Sequence, residues 1–355
     1  MPRIRIGVIG CGSVAQIQHL PNLKSLPEEF EIAGVCDISP TLARTIAENF
    51  DVPFYTDDYT KLLKSNLDAV LLCHSDPKTQ VAVDAFKAGL HVLIEKPMCY
   101  SLQEADTIIA AARETDKVGM VAYMKVYDPA YEIARDEVAR MDSIRFIQVN
   151  HLHPENLLHL RNFRLKQFND IPAEKLKKEA ATSSLQNAIG NVSNEIQSSF
   201  RTISGSMIHD IYGLRLMVGQ PKEVVSTEIW NQGRAINTVL AYSNGARCAV
   251  SWIDLPELWE FTETLEVYGD KSRTLLSYPN GFAKGVLAKV VLHGIDCEGR
   301  SFRHEPTVEW EIAFVRELRH FHACITEHIP CRTPVEEARA DIKLVIDIVK
   351  SYLTK

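Results

Sequence analysis

No apolar run in this chain approaches the roughly 18 residues that a membrane-spanning helix needs, so no such helix is expected. No C-x-x-C pair occurs among the eight cysteines (Cys11, Cys36, Cys73, Cys99, Cys248, Cys297, Cys324 and Cys331), and several of them sit inside apolar runs. That scatter speaks against a zinc site or other metal and predicts reduced, mostly buried thiols in a cytoplasmic protein. Positive charge is not in excess: 39 Lys and Arg face 46 Asp and Glu, a formal net charge of −7. A mildly acidic surface argues against nucleic acid or an anionic membrane as the main partner. Low-complexity tracts and repeats are also lacking, and the N-terminus enters a strand-like run at once, so a signal peptide is not expected.

What is present is ordinary globular material, with 46% hydrophobic and 24% charged residues. A length of 355 residues favours two domains. Residues 4–9 form a short apolar run that ends at Gly10, the pattern of a buried parallel strand. A helix should follow from about Ser13. Strands are then expected at 32–36 (closed by Asp37), 68–73, 91–94 and 118–122, and helices at 40–50, 77–88 and 102–114. This alternation with short links predicts a doubly wound parallel sheet, an α/β Rossmann domain over residues 1–125. After it the pattern changes. A helix at 129–140 and a strand at 144–150 precede a polar and basic stretch, 154–204, with helical pieces near 173–181. Strand-like segments recur at 223–230, 235–242, 246–252, 263–269, 273–277 and 289–293, and helical patterns close the chain at 309–327 and 334–353. Residues 126–355 are therefore expected to form an α+β domain, with helices on one face of a large, mostly antiparallel open sheet.

The chemistry-bearing residues fall at strand ends. Gly10-x-Gly12-x-x-Ala15 follows a strand and opens a helix. Gly10 permits a tight turn, Gly12 lets backbone approach a pyrophosphate, and the helix start, with Ser13 and Val14, offers N–H groups to phosphates. The alternative for this triplet is a structural turn. Asp37, with Ile38 after it, ends the next strand, where a carboxylate accepts from ribose hydroxyls and repels a 2′-phosphate. No Lys or Arg follows at once, so NAD is preferred to NADP, with Arg44 the main objection; the alternative for Asp37 is a helix cap. His74, Ser75 and Pro77 leave the third strand at the same sheet edge, as cofactor contacts or an ordinary turn. Glu95-Lys96-Pro97 ends the fourth strand. Glu95 is expected to accept from the nicotinamide-side ribose and Lys96 to hydrogen-bond a substrate hydroxyl, with a turn at Pro97 that a cis bond would suit.

The glycine loop, Asp37, the run from Ala85 to Pro97 and a later His segment together resemble the Gfo/Idh/MocA oxidoreductase family, strongly over residues 4–130 and patchily beyond. The resemblance implies a Rossmann domain followed by an α/β domain with an open sheet. It also implies NAD(P)-linked oxidation or reduction of a sugar or cyclitol hydroxyl, and homodimers or homotetramers formed through the C-terminal sheet. In the segment Gly205 to Gly219, His209 fits the family's catalytic histidine, with a glycine ten residues on. It would be the base that takes the hydroxyl proton; the alternative is a packed helix histidine. Tyr123, Tyr127, His153 and Arg164 join Lys96 and His209 as candidate substrate contacts. This chain departs from the pattern where relatives carry acids: Gly205 stands four residues before the His and Tyr212 three after. Asp210 would point about 100° away from His209 on a helix and is a poor substitute. The stretch 154–204 is expected to be a lid or oligomer arm, suited to a glycoside. The expected activity is NAD-dependent oxidation of a secondary hydroxyl of a sugar, cyclitol or glycoside, or the reverse. Two alternatives stay open: a glycoside 3-oxidase or sugar–sugar oxidoreductase that recycles tightly bound NAD, and a non-catalytic NAD-binding regulator.

Overall fold

The computed structural model describes residues 2–75, 77–172, 178–258 and 260–354. The chain forms two compact units, each assembled from separate stretches: residues 1–123, 163–190 and 314–342 in the first, and 124–162, 191–313 and 343–355 in the second. A single boundary after residue 125 therefore describes only the first crossing. Residues 163–190 and 314–342, expected in the second domain, return to the first unit.

The first unit holds a six-stranded parallel sheet in the order β3-β2-β1-β4-β5-β6. Its strands are β1 (Ile4–Ile9), β2 (Phe30–Cys36), β3 (Tyr55–Thr56), β4 (Ala69–Leu72), β5 (His91–Glu95) and β6 (Gly119–Ala122). Both faces are covered, so alternation is lost: β4 has no exposed residue on either side. The order reverses on the two sides of β1, which places the ligand crevice of this fold at the C-terminal ends of β1 and β4. A wide π-type turn, Ala15–His19, leads from the glycine loop into α1 (Leu20–Lys24). Helix α2 (Pro40–Phe50) starts at Ser39, whose hydroxyl accepts the Leu42 N–H, and it buries Leu42, Ala43, Ile46 and Ala47 along one stripe. Helices α3 (Tyr59–Leu63), α4 (Thr79–Lys87) and α5 (Leu102–Arg113) follow, the last with a Ser101–Glu104 capping box.

The returning segments close this unit. Helix α8 (Lys178–Ile189) contacts α5, and the Ser184 hydroxyl bonds Glu104. The expected helical piece at 173–181 lies partly outside the described residues. After α11 (Ala313–Thr326), Thr333 pairs with the edge strand: its carbonyl accepts the Val121 N–H at 2.8 Å and its hydroxyl donates to the Val121 carbonyl at 2.8 Å. Helix α12 (Val335–Leu353) ends the chain.

The second unit carries an eight-stranded sheet in the order β14-β13-β12-β11-β7-β10-β9-β8. The strands are β7 (Phe146–His153), β8 (Glu223–Trp230), β9 (Ala235–Ala241), β10 (Arg247–Asp254), β11 (Thr262–Tyr268), β12 (Ser272–Tyr278), β13 (Lys289–Ile295) and β14 (Ser301–His304). Only β7 and β10 pair in parallel; the other neighbours are antiparallel. Register aligns Val149, Val250, Leu265 and Leu276 in one buried row, with His151, Trp252 and Glu263 one pleat further along. β14 is exposed throughout and so shows no alternation for sequence reasoning to find. The helices are α6 (Pro129–Ala139), α7 (Asn156–Leu160), α9 (Asn194–Thr202) and α10 (Ile208–Val218). Most residues of α10 are buried on every side, the mark of an interior helix.

Gly10 is where strand ends meet. Its φ is +94°, and a Cβ there would lie 2.3 Å from the His74 backbone nitrogen. Gly10→Ala should therefore lower stability by at least about 1–3 kcal/mol, the usual cost of one strained backbone residue, with the clash added. Thermal unfolding of the variant checks this; an unchanged Tm would contradict it.

Candidate functional site

The C-terminal edge of the parallel sheet gathers the glycine loop, Asp37 and the loop after β4. The Gly10 N–H donates to the Cys36 carbonyl at 2.8 Å, and the Cys73 and His74 N–H groups both donate to the Ile9 carbonyl. Gly12 differs from Gly10: nothing lies within 4 Å of the Cβ it lacks. That opening at the start of a helix fits a pyrophosphate, which would lose its place to any side chain. Asp37 accepts the Cys11 N–H at 2.8 Å on one oxygen and the Ser39 N–H at 2.9 Å on the other, so the second strand anchors the glycine loop. Burial raises the Asp37 pKa, the two N–H bonds oppose it, and a second carboxylate, Asp170, pushes it up further. Ile38 is 41% exposed and offers an apolar face at this edge. Ser13, Val14, His74 and Pro77 are half-buried and Ser75 exposed around the same loops, and the His74 ring donates from Nδ1 to the Ser75 carbonyl at 2.8 Å. Asp76 lies outside the described residues.

An arm from the returning segment crosses this edge. The Gln16 side-chain amide and the Lys166 backbone exchange two hydrogen bonds, at 3.0 and 2.9 Å, and Gln16 Nε2 also donates to the Cys11 carbonyl at 2.7 Å. Asp170 bonds the Ser39 hydroxyl and accepts the Thr41 N–H at 3.0 Å. Arg164, expected at the substrate, is exposed on this arm with the first unit.

Glu95 and Lys96 form the next feature. The Lys96–Pro97 peptide is cis. Glu95, expected at the nicotinamide-side ribose, is 5% exposed. Oε1 lies 2.7 Å from His19 Nε2, and Oε2 accepts the Lys96 N–H at 3.0 Å. Burial pushes the Glu95 pKa up, but the His19 bond and the charges of His19, Lys96 and Lys78 outweigh it, and the net shift is down. Buried Lys78 donates from Nζ to the Pro97 carbonyl at 3.0 Å and fastens the turn from the other side. Beneath lies Glu317, wholly buried, with neither carboxylate oxygen bonded among the described residues. Burial and the neighbouring Glu95 charge hold its pKa well above the usual range. Sequence reasoning missed His19, Lys78 and Glu317. For His19 a signal existed: Gln18, His19 and Asn22 are polar residues on the buried stripe of the first helix.

In the second unit His209 is half-buried, and its Nδ1 lies 2.7 Å from the Tyr212 hydroxyl. That hydroxyl is buried and accepts the Lys125 backbone N–H at 3.3 Å. Tyr212, one turn after the histidine, thus stands where the family pattern has an acid. Asp210 points elsewhere, as helix geometry requires: its Oδ2 lies 2.7 Å from His151 Nδ1. Around it Lys125 Nζ bonds Glu263, His151 Nε2 comes within 4.0 Å of the same carboxylate, and the ammonium sits 4.8 Å over the Tyr278 ring. Burial raises the Glu263 pKa, and the Lys125 charge opposes it. Two acids and two basic groups are thus buried together. Tyr123, in the first unit, and Tyr127, in the second, are each 2% exposed and belong to the cores.

A cavity of about 650 Å³ opens in the second unit, lined among others by His153, Arg201, Gly205, Ser206, Trp252 and Asp254. The His153 ring stacks on Trp252 at 5.6 Å, and the indole N–H donates to the Ser206 hydroxyl at 2.9 Å. His153 Nδ1 donates to the Pro154 carbonyl at 2.6 Å, and burial together with the His151 charge lowers its pKa to about 4. It is therefore neutral near pH 7, with Nε2 as an acceptor. Nothing lies within 4 Å of the Cβ that Gly205 lacks, so the missing acid leaves open space. The lining is mostly polar and charged, with Trp252 and His153 its aromatic surface. The scattered cysteines also hide one cluster: the ligand atoms of His320, Cys324 and Cys331 lie within 4.8 Å of one another. The bond from Cys331 pulls the Cys324 thiol down to about 5, helped by His320. The sequence reading expected no metal and had no view of this grouping.

The chain thus combines a doubly wound parallel unit, open at its glycine loop, with a unit built on a large mixed sheet. Residues 4–123 match the model of the Gfo/Idh/MocA oxidoreductase family, described as an NAD-binding Rossmann fold. The chain is 28% identical over 137 residues to myo-inositol 2-dehydrogenase from Thermotoga maritima, covering 38% of this chain and 40% of that protein. The first curated relatives are matched over only 38% to 47% of their length. Solved structures extend the likeness to the whole chain. A 3-ketoreductase from Actinomadura kijaniata, in complex with NADP and TDP-benzene, superposes with a TM-score of 0.74 at 19% identity, covering 99% of this chain and 98% of that one. Levoglucosan dehydrogenase, in complex with NADH and L-sorbose, gives 0.78 at 16% identity, covering 99% and 97%. At such identities these superpositions establish the fold alone. Among the described residues no helix is long and apolar enough to cross a membrane.

Two outcomes are expected at this edge. Gly12→Ala meets no neighbour, so it should keep the wild-type Tm while dinucleotide affinity falls by about tenfold or more; fluorescence titration with NADH checks this. The arm should detach in acid. Bonds from Ser39 and Thr41 hold the Asp170 pKa down at about 2, against 3.8 ordinarily. A depressed carboxylate stabilises the fold above its unfolded value, so this attachment is present above about pH 4 and lost as pH falls through about 2. Hydrogen exchange at the Thr41 amide reads it, and protection unchanged down to the lowest pH would contradict it.

Proposed function

We propose that the protein is an NAD(P)-dependent oxidoreductase that oxidises a secondary hydroxyl of a sugar, cyclitol or glycoside, or reduces the corresponding ketone. The observation that carries this reading is the Lys96 turn. It is held by Glu95 and Lys78 at the end of β5, on the same sheet edge as the open Gly12 cradle and Asp37. When bound, the nicotinamide accepts or supplies the hydride. Lys96 donates a hydrogen bond to the substrate oxygen and stabilises its developing negative charge. His209 accepts the hydroxyl proton. For Nε2 to be the acceptor, the Nδ1 proton must be donated to the Tyr212 oxygen, which the Lys125 N–H also holds. Association through the eight-stranded sheet belongs to the same proposal.

A second reading, with tightly held NAD recycled by a second substrate, is favoured by the arm that Gln16 and Ser39 fasten across the nucleotide edge. Nucleotide released on denaturing the freshly purified protein supports it; its absence supports a cofactor that dissociates each turnover.

Lys96→Met and His209→Gln should each lower kcat/KM by about 10²–10⁴ while NADH binding persists. Tyr212→Phe, which keeps the volume and removes only the hydroxyl, should lower kcat by about 10- to 100-fold with little change in KM. Full turnover in all three variants would refute the proton-handling roles. Failure of the wild type to turn over any sugar, cyclitol or glycoside, with NADH still binding, would favour a non-catalytic nucleotide-binding protein.

A further inference from the structure

We propose that Asp170 selects the cofactor: its carboxylate, delivered by the arm, fills the anion-binding position at the start of α2 and so excludes a dinucleotide carrying a 2′-phosphate. This rests on the reading of the first unit as a dinucleotide-binding unit, and it names a residue far outside the Rossmann sequence as part of the choice.

The turn from β2 into α2 is where the adenosine ribose meets the acid at the strand end. Here that acid is Asp37, whose two oxygens already hold the Cys11 and Ser39 N–H groups. Beside it, α2 begins with a serine hydroxyl and the backbone N–H of Thr41. A hydroxyl and an unsatisfied amide at a helix N-terminus are what a phosphate group takes. Both are already engaged by Asp170, which bonds the Ser39 hydroxyl and accepts the Thr41 N–H. The residue is not a drifting surface acid, because the arm is clamped shortly before it by the reciprocal Gln16–Lys166 pair. Arg44, the cation nearest in sequence, is exposed on α2 with its Nε 4.0 Å from Glu48. A 2′-phosphate entering here would meet two carboxylates and would have to displace one of them from its donors. A 2′-hydroxyl carries no such charge and needs only an acceptor. Discrimination by occupied donors and like charge works against the wrong ligand without adding affinity for the right one.

The test is fluorescence titration of the full-length protein with NADH and with NADPH, for the wild type, Asp170→Asn and Asp170→Ala. Asp170→Asn removes the charge and keeps an acceptor; Asp170→Ala also vacates the position. The wild type should bind NADH more tightly than NADPH. Both variants should raise the NADPH-to-NADH affinity ratio about tenfold over that of the wild type. An unchanged NADPH-to-NADH ratio in Asp170→Ala, with NADH bound normally, overturns the role of Asp170 and leaves the nucleotide-binding reading intact. Wild-type protein that melts cooperatively but binds neither nucleotide overturns that reading itself.

Discussion

The constraint on which most of the first unit's chemistry depends is the burial of the Glu95 carboxylate. A buried charge is costly unless it is partnered. Glu95 meets that demand with the His19 imidazole on one oxygen and the Lys96 N–H on the other. Those two partners come from the helix behind the glycine loop and from the lysine turn. A single carboxylate therefore ties the helix behind the glycine loop to the residue proposed to hold the substrate oxygen. Lys78 grips the same turn through the Pro97 carbonyl, and burial beside Glu95 holds the Glu317 pKa well above the usual range.

The second unit solves a similar problem by balance. Lys125, His151, Asp210 and Glu263 are all nearly inaccessible and share their bonds among themselves. Removing any one of them would leave its partner unpaired in the interior, a loss of about 3–5 kcal/mol for a buried ion pair. The cluster also explains why Asp210 cannot serve His209: its carboxylate is committed to His151. A tyrosine hydroxyl takes up the orienting role one turn later. A hydroxyl holds the ring in place but stabilises an imidazolium less than a carboxylate would, so the departure at Tyr212 is chemical as well as positional.

The arm gives the stretch 154–204 a more specific meaning than a lid. Its middle returns to the first unit, and two of its residues, Lys166 and Asp170, bond groups of the glycine loop region and of α2. A long connection between a strand and the histidine helix thus becomes part of the sheet edge formed by the glycine loop and the start of α2. The sheet of the second unit, by contrast, is a regular structure whose alternation along β7, β10 and β11 assigns one face to the core.

Local pattern was enough for the elements themselves. Helix α2 and strand β8 fall where spacing and capping put them, because Ser39-Pro40 and the alternation of 223–230 are local signals. The glycine loop was legible for the same reason, since Gly10 requires its positive φ whatever surrounds it. Strand β14 was not, because an exposed edge strand has no buried face to impose a period. Nor were the pairings that build the site. His19 to Glu95, His151 to Asp210 and Asp170 to Ser39 join residues 76, 59 and 131 positions apart. Sequence alone thus located the longer strands and helices and the glycine loop between β1 and the first helix. Which acids face which bases, which stretches return to the first unit and which hydroxyl orients His209 were decided only by tertiary structure. Periodicity reports which face of an element is buried, whereas hydrogen bonding between distant residues depends on how those faces are brought together.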